Sequence, residues 1–484
     1  MKNITTALIT ILLLCVTFPI GVYAGSQQYY PDADTTIQKR IEAWKDLKFG
    51  LLMHWGAYSQ WSIVESWSIC PEDLSWATGA RKKEFGDDYS AYLKKYENLQ
   101  TSFNPVNFNP AKWATAAQAA GMKYVIFTTK HHDGFCMWDT KYSDYKITDQ
   151  SCPFSKDARK DVTKGIFDAF RERGFWTGAY FSKPDWHSDY YWWKKFPPVD
   201  RNANYSIDKY PDQWKKFVEY THNQIGELTS NYGEVDILWL DGGWVRKKTA
   251  EEVHETLTEI YEGSRWARNP QSQDINMPEL VKQVRSKQPE ILVVDRDVQG
   301  PYQNYLTPEQ QIPDSILPYP WETCMTMAGS WSYVATDQYK PTEQLIRTLV
   351  DVVSKGGNLL LNIGPGPDGE YAADAYQRLN DLADWMKING KAIYSTRPLD
   401  HFNEGKNIRF TQSKDHLRRY VFLFEKPGAT MVLNSLPFTS KSKVKSMDGK
   451  SNFKWKRTKD GITIELNNGF INSGKYVWVL SVEN

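Results

Sequence analysis

Three carboxylates and three histidines are the side chains of this sequence best suited to chemistry. Asp241 ends the run Val235-Asp236-Ile237-Leu238-Trp239-Leu240 and is followed by two glycines. A carboxylate at the end of an apolar strand, with backbone that lets a ligand approach, can act as nucleophile or base. Asp-Gly is also ordinary turn chemistry, so a turn role stands beside it. Glu309, in Thr307-Pro308-Glu309, and Glu322, after Trp321, are alternative second members of a general acid/base pair. The first segment reads equally as a helix start, with Thr as cap, Pro in the first turn and Glu favoured by the dipole. Glu322 reads equally as the partner of a buried Arg or Lys. His54 and His131-His132-Asp133 invite a metal ion. Adjacent strand residues face opposite sides unless the strand has ended or bulged, and no His pair at helical spacing or Cys pair completes a site. The favoured role is hydrogen bonding to a polyhydroxylated ligand, with no metal and no cofactor. No G-x-S-x-G elbow supports a serine nucleophile.

The elements that must hold these residues follow one pattern. Short apolar runs at 50–55, 124–129, 176–181, 235–240, 290–294 and 358–362 are nearly continuous, as strands buried on both faces require. Helical stretches at 110–121, 161–174, 210–232 and 341–356 separate them. His54, His131, His132, Asp133, Ser182, Asp185, Asp241, Asp295, Arg296 and Glu322 all lie at or just past the C-terminal ends of strands. In a (β/α)8-like TIM barrel those ends converge on one mouth. A doubly wound sheet would carry a Gly-rich nucleotide loop after its first strand, where HWGAYSQW stands instead. After about residue 396 the helical patterns give way to short alternating segments divided by turns, which predicts a C-terminal antiparallel β-sandwich. The expected division is a leader at 1–24, a catalytic barrel at 25–395 and the sandwich at 396–484.

Composition narrows the class of partner. Lys and Arg number 59 and Asp and Glu 58, a net charge of +1, which argues against a nucleic-acid or anionic-lipid surface. There are 20 Trp, 28 Tyr and 21 Phe, a richness that suits stacking on the apolar faces of sugar rings as well as plain core packing. Lys2, the apolar run from Ala7 to Ile20 and the small residues before Gly25 form a secretory signal pattern. The expected location is periplasmic or extracellular, with no membrane span. An oligomer is compatible with the sequence. Cys70, Cys136, Cys152 and Cys324 remain after the leader; their spacing favours buried thiols and leaves room for one bridge.

Taken together, KFGLLMHWGAYSQW (48–61), TTKHHDGFCMWDT (128–140), DILWLDGGW (236–244), VVDR (293–296), NYLTPEQQIP (304–313), PWETC (320–324), GSWSY (329–333) and SKGGNLLLNIGPGPDG (354–369) resemble the α-L-fucosidases of glycoside hydrolase family 29. The resemblance implies an exo-acting retaining enzyme that removes terminal α-L-fucose from oligosaccharides or glycoproteins. It implies Asp241 as nucleophile and Glu309 as acid/base, with Glu322 as the rival or a supporting carboxylate. The fucose-binding set it implies is His54, Trp67, His131, His132, Tyr180, Arg296 and Trp331. The sequence departs from the family where Glu65 stands one residue earlier than the Glu that directly precedes Trp, and where 246–278 is inserted beside the site. The alternatives are an inactive carbohydrate-binding protein on this scaffold, or a barrel glycosidase with another sugar preference.

Overall fold

The computed structural model describes residues 28–72, 74, 76–79, 88–264 and 269–483. The leader read over 1–24 lies outside them. Seven strands form one curled parallel sheet: β1 (Phe49–Met53), β2 (Tyr124–Lys130), β3 (Trp176–Ser182), β4 (Ile237–Asp241), β5 (Leu292–Asp295), β6 (Glu322–Thr326) and β7 (Asn358–Asn362). Their order is β5-β4-β3-β2-β1-β7-β6. Among the described residues no eighth strand closes the ring. Residues 302–310 do so instead, pairing Val294 with Gln303 on β5's side and Leu306 with Trp321 and Glu309 with Cys324 on β6's. Pro308 has no N–H to give a ladder, so this segment joins the sheet by isolated bridges. Thr307-Pro308-Glu309 therefore starts no helix; it is extended backbone between the two ends of the sheet.

The helices Pro110–Ala119, Val162–Arg171, Pro211–Asn231, Met277–Lys287 and Thr342–Ser354 pack outside the sheet. Their starts follow local chemistry. The Asn109 side chain accepts from the Lys112 N–H and Asp161 from the Lys164 N–H, each satisfying a donor the first turn leaves free. Val162, Ile166, Phe167 and Phe170 then bury one helical face.

Strand periodicity decides what faces inward. Phe49, Leu51 and Met53 join the outer core, whereas Leu52 packs inside with Tyr124, Ile126, Tyr180, Ile237, Trp239, Leu292, Val294, Cys324 and Leu360. Gly50 is required there: a Cβ would lie 2.3 Å from the Tyr124 ring. Helix Thr35–Leu47 adds Ile37, Ile41 and Trp44 to this inner cluster, and Trp44 stacks on Tyr305 at 3.9 Å. The barrel is thus filled below and open only at the C-terminal ends of its strands.

From Thr396 onward two antiparallel sheets share a core. Phe410, Val421 and Leu480 come from one sheet, and Leu433, Ile462 and Ile464 from the other. The Asn467-Asn468-Gly469 turn is the start of a short helix, Asn468–Ser473, with Asn467 as its cap. Arg409 to Asp351 at 2.5 Å and Arg397 to Asp46 at 2.7 Å tie the larger of the two sheets to the barrel helices. All four described cysteines are buried, and none is in a disulfide.

Candidate active site

The inward series of each strand runs two residues past its last core position to the mouth. Leu52 leads to His54, Trp239 to Asp241, Val294 to Arg296 and Leu360 to Asn362. Together with Trp67, His131, His132, Tyr180, Glu309 and Trp331, the first three line a cavity of about 700 Å3. Every residue expected to bind the sugar lines it. Glu322 does not: contrary to its expected place at the C-terminal end of a strand, it opens β6 at the N-terminal end and is buried below the cavity.

Asp241 is the electrostatic centre. Its Oδ2 accepts from Tyr180 Oη at 2.6 Å and lies 3.9 Å from His132 Nε2. Its Oδ1 accepts from Arg296 Nη1 at 3.2 Å and from the Gly242 N–H at 2.8 Å. Burial alone would raise its pKa, but Arg296, His132, Tyr180 and the Gly242 N–H together hold it well below the usual carboxylate range. Arg296 also donates through Nη2 to Glu309, so one guanidinium bridges two carboxylates. Asp297 and Gln310, the residues after Arg296 and Glu309, have φ of 60° and 54°. Left-handed backbone at a non-glycine residue is strained, and here it flanks both ends of the bridge.

The histidines are neutral. Burial pushes His54 and His132 down to about 4 and holds His131 well below its ordinary value. Each then offers one N–H donor and one lone pair, the equipment that reads a hydroxyl. His54 Nδ1 pairs with Asn362 Oδ1 at 2.8 Å, and His131 Nδ1 with Ser66 Oγ at 2.5 Å. The β2 register shifts between Thr128 and Lys130 and the strand ends there, which brings His131 and His132 into one cavity with rings 4.3 Å apart. Ligand atoms of His131, His132 and Asp241 lie within 4.8 Å of one another. Asp241 is already committed to Tyr180 and Arg296, so a cation there would sit beside a guanidinium.

Several strand-end carboxylates lie behind the site instead. Asp185 pairs with Lys130 at 2.9 Å and Asp295 with Lys183 at 2.5 Å, both fully buried, and Asp133 accepts from Tyr96 at 2.8 Å. Ser182 is buried 3.3 Å from Tyr180 Oη. Glu322 accepts from Tyr124 at 2.6 Å and from Trp239 Nε1 at 3.3 Å, and burial raises its pKa to about 8. Glu65 lines the cavity, yet its Oε1 is taken by the Ser332 N–H at 2.8 Å, which pins the loop that carries Trp331. Asn362, Ser66, Arg201 and Trp244 were not singled out by sequence. Only Asn362 carried a signal, its place two residues beyond Leu360 on an inward series.

A family model described as alpha-L-fucosidase matches residues 18–391, most of the chain. The chain belongs to the α-L-fucosidase family. This fucosidase is 27% identical over 486 residues to the human plasma alpha-L-fucosidase, covering 95% of this chain and 93% of the relative. It superposes on the structure of alpha-L-fucosidase isoenzyme 1 from Paenibacillus thiaminolyticus with a TM-score of 0.73 and 27% identity, over 93% of this chain and 99% of that one. It superposes on the Thermotoga maritima alpha-fucosidase, in complex with a mechanism-based inhibitor, with a TM-score of 0.72 and 27% identity, over 94% and 100% of the two chains. The protein is accordingly a glycoside hydrolase of the α-L-fucosidase class.

Proposed function

We propose that this fucosidase is exo-acting and retaining, and works by double displacement. The observation that carries the reading is the single Arg296 guanidinium shared by Asp241 and Glu309 at the mouth of the barrel. Two carboxylates on one guanidinium are close neighbours, in keeping with the roughly 5–5.5 Å between carboxyl groups that retaining glycosidases use. Asp241, ionised and held by four donors and charges, attacks the anomeric carbon of fucose. Glu309 protonates the departing glycosidic oxygen, then returns as base for the water that releases the sugar. To carry a proton Glu309 must first let go of Arg296, and its half-exposed side chain on an irregular segment leaves it room to do so. His54, His131, His132, Tyr180 and Arg296 read the hydroxyls, and Trp67 and Trp331 cover apolar edges of the ring. No metal ion or organic cofactor enters this scheme. Glu322 acts as a supporting carboxylate, not as the acid.

The substrate class is a fucosylated oligosaccharide or glycoprotein glycan. We further propose a catalytic unit at 25–395 with the sandwich at 396–484 as its support, and export by way of the leader at 1–24. No helix among the described residues is long and apolar enough to cross a membrane. The reading is tested by following an aryl α-L-fucoside with proton NMR during the first turnovers. The expected first product is the α-anomer of fucose. First release of the β-anomer would overturn retention, and no turnover of an aryl α-L-fucoside by folded protein would overturn the activity.

A further inference from the structure

Next to Trp67, one wall of the cavity continues through Trp76, Arg201 and Trp244, none of them assigned to fucose. The Arg201 guanidinium packs against a pair of adjoining indoles, 4.9 Å from the Trp67 ring and 5.2 Å from the Trp244 ring, the two rings being 5.9 Å apart. Its Nε donates to Glu72 at 2.9 and 3.0 Å and its Nη2 at 2.5 Å, while Glu72 itself is buried. Two nitrogens of the group are therefore held by Glu72, and the indole pair backs it on one side. Nη1 has no hydrogen-bond partner among the described residues, and the side chain keeps 30% of its surface in contact with solvent. Trp76 stands 5.9 Å from Trp67 and is 59% exposed, an unusual place for an indole. The inserted stretch buttresses this wall. Gln273 donates to Trp244 O at 3.2 Å and to Asn202 Oδ1 at 2.7 Å, and accepts from Tyr191 Oη at 3.1 Å.

A positioned guanidinium with one nitrogen left over, beside the exposed Trp76 indole, matches a pyranose ring, with C–H groups on its face and hydroxyls on its rim. Because Glu72 already balances the guanidinium charge, the edge favours a neutral hydroxyl over an acidic group. We propose that Arg201, Trp244 and Trp76 form a subsite for the neutral sugar residue to which the fucose is attached. This rests on the fucosidase reading and narrows its substrates to fucosylated oligosaccharides. Fucosides with small leaving groups do not use this wall.

The test compares an aryl α-L-fucoside with whichever of a panel of neutral fucosyl-disaccharides the wild type cleaves fastest. Trp76→Ala removes an exposed side chain. Arg201→Met is paired with Glu72→Gln so that no buried charge is stranded. Each variant should lower the disaccharide-to-aryl ratio of kcat/KM about tenfold, the loss of roughly one hydrogen bond or ring contact. The loss should fall on KM and kcat for the disaccharide together. Equal effects on the two substrates, or none, would overturn the subsite while leaving the fucosidase reading intact. A wild-type preference for a disaccharide bearing a carboxylate next to fucose would also overturn it. If the wild type cleaves neither substrate, the activity itself is wrong and the subsite falls with it.

Discussion

Asp241 and Glu322 are both carboxylates on the inner face of the same barrel, and they end in opposite states. Both are largely withdrawn from solvent, and that pushes both pKa values upward. Asp241 meets a guanidinium, a histidine, a tyrosine hydroxyl and a backbone N–H, and is held ionised. Glu322 meets only the neutral donors Tyr124 and Trp239, and rises to about 8. At Glu322 two hydrogen bonds offset only part of the cost of burying a charge; at Asp241 the Arg296 countercharge is the largest of the causes that reverse it. The mouth is built to keep a negative charge; the layer beneath is built to do without one. Trp239 links the layers, stacked on Tyr180 at 5.3 Å and lying 5.4 Å below the Arg296 guanidinium.

The sharpest break in this contrast is Asp241→Ala. It should cut aryl α-L-fucoside turnover by roughly three orders of magnitude or more, and should also lower the thermal midpoint, because Arg296 and Tyr180 lose a buried partner. Retained turnover in a steady-state assay would mean that the ionised carboxylate is not the nucleophile.

Next in size is the pair Glu309→Ala and Glu322→Ala. Glu309→Ala should slow fucosides with poor leaving groups by about 10²–10³ and those with good ones far less, with azide restoring part of the latter. Glu322→Ala should show neither the leaving-group dependence nor the rescue, because its carboxylate does not reach the cavity. The opposite pattern in the two variants would exchange their roles.

The last effect concerns stability. A carboxyl whose folded pKa is raised from 4.5 to about 8 stabilises the fold fully below 4.5, and that contribution is lost as pH rises through 8. Glu322→Gln keeps the shape and removes the titration. Its thermal midpoint should therefore gain on the wild type between about pH 5 and pH 8, because each tenfold difference in proton affinity between the folded and unfolded chains is worth about 1.4 kcal/mol. A constant difference across that range would show that Glu322 is not held neutral. His54 and His132 work in the other direction. With folded values near 4 against an ordinary 6.5, they penalise the fold as pH falls through that window.

Much of this was legible in the residues. Continuous apolar runs separated by amphipathic stretches specified a parallel barrel, because a strand covered on both faces has no polar side to show. Polar residues at the ends of those runs marked the mouth. The alternation of each strand sent Asp241, His54 and Arg296 inward, since it follows from backbone geometry alone. Helix starts at Asn109 and Asp161 were equally local.

What tertiary structure alone decided is which carboxylate meets which charge. Arg296 and Glu309 are close in sequence, yet the bridge exists because 302–310 stands in for an eighth strand, and nothing in its composition announces that. Glu322, one residue past a tryptophan, looks by sequence like a residue at the C-terminal end of its strand; it is instead the first residue of β6, paired with Asn358 at the start of β7 and so below the cavity. Asp185 and Asp295 resembled site residues until Lys130 and Lys183 were brought against them. Arg201 and Glu72 lie 129 residues apart and meet only in the fold. Backbone pattern is a local property, fixed by a few neighbouring residues. Ionisation state is set by the field of groups brought together across the chain, and that field exists only once the barrel has closed.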